Sequence, residues 1–351
     1  MIDQSLTLAC LLLAGSGVFT TSADRAFSRE VAEGELVIDL VGNVSVTDGE
    51  VTVTSDSGTV WQNSGNASFY GNVTVIADTL TGTSMFLEYI KAAGIVTMTG
   101  NVELTDGQTV LNAGEVVYFR QSGKATARED VVMTGPSLGY VQGQYALYDR
   151  ERGSLFITVD PVLRRVVEGD SLTVTADRLE FFPEDNSAEA QGNATVLMPA
   201  RDFRSTSEYL RYFGDEERFE LFGSPVLESE GSELSGDWME ILLDDSGDPS
   251  RVRIEGDAAG YFLDRDQDPP AETWFSSESA FFEFQDGDPD SVMLAGAALL
   301  RMKSGGDAAQ RDEMNTVRGN MMSISFENGE AVEVIVSGSV TGTYSYLGGN
   351  P

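Results

Sequence analysis

One stretch of the chain reads Gly42-Asn43-Val44-Ser45-Val46-Thr47-Asp48-Gly49-Glu50-Val51-Thr52-Val53, and the expected architecture follows from it. Its opening tripeptide returns at Gly71-Asn72-Val73 and at Gly100-Asn101-Val102, 29 residues later each time. A period of this length is typical of repeat architectures and not of an ordinary globular domain. Degraded copies of the tripeptide begin at Glu129, Asp160, Gly192, Gly223, Gly256, Gly296 and Gly338.

A second motif lies between these tripeptides and has a small residue, a polar residue and then alternating apolar positions. Its clearest copies are Gly114-Glu115-Val116-Val117-Tyr118-Phe119 and Ala176-Asp177-Arg178-Leu179-Glu180-Phe181. Apolar and polar residues also alternate strictly from the valine of each Gly-Asn-Val, as in Val73-Thr74-Val75. A period of two is the signature of half-buried β-strands. The pattern therefore predicts strands along the whole repeat region.

Turn-forming dipeptides fall midway between the motifs, where strands are expected to reverse. They are Asp48-Gly49, Asp106-Gly107, Ser122-Gly123, Asp185-Asn186, Ser246-Gly247 and Asn328-Gly329. A unit of about 30 residues then holds two to three short strands and cannot bury its apolar face alone. The predicted fold is all-β, an elongated β-jellyroll or folded-sheet β-solenoid of about nine repeats.

The domain organisation expected from the sequence is simple. Residues 1–23 are predicted to be a signal peptide, because Leu6 to Phe19 is apolar and too short for a membrane span, although the segment before it carries Asp3 and no basic residue. Residues 24–351 are predicted to be one elongated repeat domain, strongest over 36–260, with longer looped repeats over 261–351. Acidic or polar inserts at Asp264–Glu272 and Lys303–Asn315 are expected to form surface loops.

Composition excludes several kinds of chemistry. The chain has no histidine, and its one cysteine, Cys10, lies inside the predicted signal. Histidine-based catalytic triads and zinc sites are therefore impossible, and we expect no catalytic residues, no metal site and no cofactor. The net charge of −35 argues against nucleic acid as a partner. Pairs of carboxylates remain, but among 57 acidic residues close pairs arise by abundance alone.

The expected interior is therefore the main candidate for function. Apolar residues at corresponding strand positions are predicted to point inward, and a folded sheet that does not fully close would leave an apolar trough for acyl chains. A closed, self-filled core is the alternative. The candidate trough residues are Val44, Val46, Val73, Val75, Met85, Leu87, Val102, Leu104, Val117 and Phe119.

The two motifs together closely resemble the OstA/LptA-like family of lipopolysaccharide-transport proteins. The resemblance is carried by Gly42 to Val53, Gly100-Asn101-Val102-Glu103-Leu104 and Gly114 to Phe119, and it is strongest over residues 36–135. It implies a slightly open β-jellyroll whose trough holds lipid A acyl chains. It also implies protomers that join end to end through strand edges and bridge the periplasm.

The resemblance implies a non-enzymatic, periplasmic protein that carries lipopolysaccharide from the inner to the outer membrane. Its expected partners are lipopolysaccharide or lipid A, inner-membrane and outer-membrane transport components held by strand-edge pairing, and further copies of the chain. Two alternatives stay open. One is a structural or adhesive surface β-solenoid with a closed core, and the other is a carbohydrate-active enzyme with paired carboxylates.

Overall fold

The computed structural model describes residues 20–31, 34–136, 138–167, 170–244, 247–265, 268–285, 288–306, 313–327 and 330–345. These residues form β-strands joined by turns, with a 3-10 helix at Pro199–Arg201, so the predicted all-β class is confirmed. The chain divides into two compact units. Unit 1 comprises residues 1–165 and 177–186, and unit 2 comprises residues 166–176 and 187–351. A single repeat domain over 24–351 stays a prediction.

Unit 1 is an antiparallel meander, because each strand from the second to the tenth pairs with the next one along the chain. Its strands are β1 (Thr20–Ser22), β2 (Arg25–Glu30), β3 (Leu36–Thr47), β4 (Val51–Trp61), β5 (Ala67–Ala77), β6 (Leu80–Ile90), β7 (Ile95–Thr105), β8 (Val110–Phe119), β9 (Lys124–Gly135), β10 (Gly139–Asp149), β11 (Ser154–Thr158), β12 (Val162–Val167, whose last two residues are assigned to unit 2) and β14 (Arg178–Phe182). β10 also pairs with β11 and β12, and β11 pairs with β14.

The 29-residue repeat is a pair of long strands. β3 to β10 contain 10 to 12 residues each, and turns of a few residues join them. The expectation of two to three short strands per repeat is therefore wrong for this region. Each repeat has two long strands instead, because a strand continues through the Gly-Asn pair and does not begin there.

The turn prediction is confirmed where the structure describes the residues. Asp48 Oδ1 accepts hydrogen bonds from the backbone N–H groups of Glu50 and Val51 at 3.0 and 2.8 Å. Asp106 Oδ1 accepts the equivalent bonds from Gln108 and Thr109 at 2.9 and 2.7 Å. An aspartate that accepts these bonds ends one strand and starts the next. Predicted turns at 246–247 and 328–329 include residues outside the described part.

The segment predicted to be a signal peptide lies mainly outside the described residues, which begin at Thr20. Its last residues form β1, which pairs with β3 in the register Thr20 with Thr47 and Ser22 with Ser45. β2 pairs with the other half of β3. β1 and β2 thus pair with the two halves of β3.

Unit 2 is also antiparallel. Its strands are β13 (Asp170–Thr175), β15 (Ser187–Met198), β16 (Phe203–Phe213), β17 (Arg218–Phe222), β18 (Val226–Ser229), β19 (Ser232–Ser235), β20 (Trp238–Leu243), β21 (Pro249–Asp264), β22 (Ala271–Gln285), β23 (Asp288–Lys303), β24 (Met314–Glu327), β25 (Glu330–Ser337) and β26 (Thr341–Ser345). β17 and β18 pair with the two halves of β16. They behave as one strand interrupted at Gly223-Ser224-Pro225, because proline cannot donate to the ladder.

The later repeats lengthen mainly through longer strands. β21, β22 and β23 have 16, 15 and 16 residues. Asp264 pairs with Ala271, and Glu272 pairs with Lys303. The interpretation of Asp264–Glu272 as a loop is therefore wrong at both of its ends, where the residues belong to the sheet. Residues 307–312 of the second insert lie outside the described residues.

Candidate functional site

Each Gly-Asn pair of unit 1 forms a bulge in the middle of a long strand. Gly71 and Asn72 have φ values of +73° and +46°, a left-handed conformation that glycine and asparagine tolerate best. The pairing of β5 with β6 skips from Tyr70 to Val73 at this point. Such a bulge bends the strand. The asparagines are therefore structural, and they lie in the middle of strands.

In two of the three copies an acidic side chain holds this bend through a hydrogen bond from the asparagine. Asn72 Nδ2 donates a hydrogen bond of 2.8 Å to Asp56 Oδ2, and Asn43 Nδ2 donates one of 3.0 Å to Asp24 Oδ2. A Cβ atom added at Gly71 would collide with Asp56, so no larger residue fits there. The Gly-Asn repeat is thus required by the left-handed conformation, and a carboxylate lies across the first two copies, whereas Met85 lies across Gly100 in the third.

Seven of the ten predicted trough residues lie in the interior of unit 1. Val73 is fully buried and Val102 is 1% exposed, and the other five are exposed by 6% or less. The seven are Val44, Val46, Val73, Val75, Leu87, Val102 and Leu104. Alternation after each Gly-Asn-Val therefore predicts the inner face correctly. Whether these residues contact lipid stays a prediction.

The inward placement predicted for Met85, Val117 and Phe119 is wrong. Met85 is 55% exposed. Ser84 and Leu87 both point inward although they are three positions apart, because the bulge in β6 shifts the alternation of inward and outward side chains between them, and Met85 then points outward. β8 has a similar shift, so the buried residues are Val116 and Tyr118, while Val117 and Phe119 are half-buried on the other face. Both faces of β8 are apolar here, and period-two reasoning alone does not distinguish them.

A small apolar cavity lies inside unit 1, between β8, β9, β10 and β11. Its volume of about 20 Å³ is enough for about one water molecule. Leu111 precedes the bulge of β8 and Val116 follows it, yet both line the cavity. The two halves of the bent strand therefore face each other. The lining residues are Leu111, Val116, Ala125, Thr126, Ala127, Met133, Ala146, Tyr148 and Leu155.

None of the lining residues was among the ten predicted. The small side chains of Ala125, Ala127 and Ala146 leave the cavity open. On the inner faces of β5 and β7 the larger side chains of Phe69 and Met98 are buried instead. The sequence signal is the run Ala125-Thr126-Ala127, which breaks the valine and leucine pattern of the earlier strands.

Asp149 is buried beside this cavity, next to the lining residue Tyr148. Its carboxylate forms an ion pair of 2.9 Å with Lys124 Nζ and accepts backbone N–H groups of Glu151 and Arg152 at 3.1 and 3.3 Å. The hydrogen bond from Lys124 is the main reason that the pKa of Asp149 lies below its usual value. Burial raises the pKa of Tyr148. Asp149 therefore stays ionised at neutral pH and holds the turn that follows β10.

A second buried carboxylate belongs to Glu180 on β14. It forms ion pairs with Arg178 and, at 3.6 Å, with Arg152. The guanidinium of Arg178 also lies 4.3 Å from the centre of the Phe156 ring. Two guanidinium groups neutralise this acid, and nothing in the arrangement resembles a carboxylate pair flanking a substrate cleft. In the described part of the chain no three metal-binding side chains come together.

Similarity to known proteins is found for a family model and for solved structures. The family model described as LptA/(LptD N-terminal domain) LPS transport protein matches residues 25–124. No curated protein matches the chain. Among solved structures, the chain is similar to the crystal structure of LptH, the LptA homologous periplasmic component of the conserved lipopolysaccharide transport device from Pseudomonas aeruginosa. The identity is 12%, the match covers 38% of this chain and 75% of that one, and the TM-score is 0.19.

The assignment rests on the family model, whose match includes strands β2 to β7 and the three regular Gly-Asn-Val repeats. Those repeats supply the bulges and all seven of the buried trough residues. At residues 25–124 the chain therefore carries a domain of the OstA/LptA-like family of lipopolysaccharide-transport proteins.

Proposed function

We propose that the chain is a non-enzymatic carrier of lipopolysaccharide, and that the acyl chains bind between the two halves of the bent strands in unit 1. The observation that carries the proposal is the inner face itself. Seven apolar residues at matched positions of β3, β5, β6 and β7 are buried there, within the segment that matches the family model. Burial of acyl chains in such a surface stabilises the complex by about 0.8 kcal/mol per methylene.

Buried side chains pack the described interior of unit 1, and the cavity of about 20 Å³ has room for about one water molecule. Acyl chains therefore enter only if the two halves of the strands separate. The cavity lies beside the small side chains of β9 and β10, and it is the least densely filled part of unit 1 that we identify. We propose that the two halves of the strands begin to separate at this cavity.

We further propose that the protein acts in the periplasm as a bridge between the two membranes. In the described residues no helix is both long and apolar enough to cross a membrane. Removal of residues 1–23 as a signal peptide would take β1 away from Ser45 to Thr47 of β3, and that backbone would then be available to a partner strand.

Strand-edge pairing at the other end of the sequence is part of the same proposal. β25 and β26 pair along one side with β24. On β25, Val332, Val334 and Ile335 are 40 to 56% exposed, which is unusual for apolar side chains. Backbone groups of an edge strand pair readily with another chain. This supports pairing with membrane-bound transport components or with a second copy.

A cavity-filling substitution tests the lipid site. Ala127 lines the cavity, so Ala127→Phe occupies the space and is expected to reduce co-purified lipid strongly, at a cost in folding free energy of about 1–3 kcal/mol. Ala26→Phe, on the exposed strand β2, is the matched control. Native mass spectrometry of both proteins from a lipopolysaccharide-producing host measures the bound lipid. If thermal melts show that both variants are folded and the two carry equal amounts of lipid, the proposed lipid site is wrong.

One observation favours a second candidate, the structural β-solenoid with a closed core. The interior of unit 2 is filled by aromatic rings, and Phe275 and Phe282 pack with centroids 5.7 Å apart. A wild-type protein that folds stably and carries no lipid in the same experiment would support this alternative.

A further inference from the structure

Three turns along one rim of unit 1 carry a basic residue at the same position. They read Lys91-Ala92-Ala93-Gly94, Arg120-Gln121-Ser122-Gly123 and Arg150-Glu151-Arg152-Gly153, and the basic residues are spaced by 29 and 30 positions. Each follows the last residue of a strand, β6, β8 or β10. We call Lys91, Arg120 and Arg150 the basic ladder. Three consecutive copies of the repeat therefore carry a basic residue at this position, whereas the preceding turn has Gln62.

The turn glycines align the ladder. Gly94 and Gly123 have φ values of +63° and +64°, and the side-chain stem of the next basic residue lies over each of them. A Cβ atom at Gly94 would lie 3.4 Å from Arg120 Cβ, and one at Gly123 would lie 3.2 Å from Arg150 Cβ. The backbone N–H of Arg120 also donates to Gly94 O at 2.9 Å. Two strand spacings separate neighbouring members, so the positive charges recur about every 10 Å.

The charge of this rim differs from that of the chain as a whole. The protein has a net charge of −35, and the turns of the opposite rim, which precede β4, β6 and β8, carry Asp48, Asp78 and Asp106, whereas the ladder turns hold four basic residues and one acidic residue, Glu151. All three members of the ladder are exposed. Neither Lys91 nor Arg150 forms an ion pair with any described residue, whereas Arg204, Arg218 and Arg253 of unit 2 do. An exposed, regularly spaced row of cations in an acidic protein attracts anions locally.

The ladder lies beside the apolar cavity. Tyr148, which lines the cavity, is two residues before Arg150, and Ala125 of the lining pairs directly with Tyr148 across β9 and β10. Phe119, the last residue of β8, precedes Arg120 and pairs with Lys124. An amphiphile with its chains in the cavity region therefore has its headgroup within reach of Arg120 and Arg150.

We infer that the basic ladder binds the phosphate groups of the carried lipid at the rim of unit 1. The inference rests on the proposed function, because it requires the acyl chains to lie between the strand halves. Arginine and lysine side chains both bind phosphate, arginine through paired N–H donors. A row of three such groups suits a headgroup with more than one phosphate, and it allows the headgroup to pass from one cation to the next as the lipid advances across successive strands.

The test compares two triple variants with the wild-type protein. Lys91→Gln, Arg120→Gln and Arg150→Gln together remove the ladder. Arg204→Gln, Arg253→Gln and Arg301→Gln remove the same charge from exposed positions of unit 2. Affinity is measured by fluorescence titration with diphosphoryl lipid A and with its fully dephosphorylated form. A further titration adds inorganic phosphate at constant ionic strength.

We expect the ladder variant to bind diphosphoryl lipid A about tenfold more weakly than the wild type and the control, and to bind the dephosphorylated form equally well. Higher salt should weaken wild-type binding of the phosphorylated form only. If all three proteins bind both lipids with equal affinity, the ladder role is wrong and the proposed lipid site stands. If the wild type binds neither lipid, both fail. If inorganic phosphate displaces the lipid fully, the ladder is a general phosphate site and the headgroup assignment is wrong.

Discussion

Replacing Val73 with aspartate is expected to destabilise unit 1 by about 4 kcal/mol or more, the largest effect that we predict for a single residue. Val73 is fully buried on β5, between β4 and β6. An ionised carboxylate at this position would lose its hydration and gain no charged partner, since the residue paired with it, Ser84, is a buried hydroxyl that already donates to Phe86 O at 3.0 Å. The pKa of the introduced aspartate should rise well above its usual value for the same reason.

Ile76→Asp is the matched control for this substitution. Ile76 is a β-branched residue on the same strand, three positions further on, and it is 49% exposed. The control should change stability by less than about 1 kcal/mol. Guanidinium denaturation followed through Trp61, the tryptophan of unit 1, measures both effects. Equal loss of stability in the two variants would show that the inner face is assigned wrongly.

Phe69→Ala is expected to cost about 3–5 kcal/mol of unfolding free energy. Phe69 is fully buried on β5, and its ring packs over Gly58 of β4, where an added Cβ atom would lie 3.0 Å from Phe69 Cδ1. The glycine leaves the space that the ring fills, so truncation to alanine opens a cavity with no side chain positioned to occupy it.

Tyr70→Ala provides the comparison, because Tyr70 follows Phe69 directly and points to the outer face. Its ring lies 5.0 Å from that of Phe86, and it is 44% exposed. Its loss should cost about 1 kcal/mol. The difference between the two guanidinium midpoints is the observable, and a larger shift for Tyr70→Ala than for Phe69→Ala would place the core of unit 1 on the opposite face of the sheet.

The sequence predicts the inner face well wherever a Gly-Asn-Val tripeptide marks the bulge. Val44, Val73 and Val102 follow the left-handed pair directly, so the alternation restarts from a known point and the buried positions can be counted from it. The carboxylate at Asp56 that bonds to Asn72 is not visible in the sequence, since it lies 16 residues away on a neighbouring strand.

The same reasoning fails on the strands that lack the tripeptide. β6 and β8 also contain bulges, because their partners do, but no Gly-Asn pair marks the position. Met85 therefore falls on the outer face, although it stands two positions before the buried Leu87. A change of phase in one strand is imposed by its neighbours, and pattern counting within that strand does not detect it.

The sequence pattern predicts neither the cavity nor the role of the basic ladder, for two different reasons. The cavity depends on how two halves of a bent strand face each other, as Leu111 and Val116 do, and this is a tertiary property. The ladder is visible in the sequence as a basic residue three positions before a turn glycine. It gains meaning only when the meander places Arg120 and Arg150 on neighbouring turns of one rim.

Site-specific photo-cross-linking in cells that make lipopolysaccharide shows directly which side chains contact the lipid. A benzophenone amino acid is placed at Leu104, buried on the inner face of β7, and in a second protein at its exposed neighbour Glu103. We expect a lipopolysaccharide adduct at position 104 and none at position 103. Adducts at 103 alone, or at neither position in a folded and exported protein, would contradict the binding of acyl chains between the strand halves.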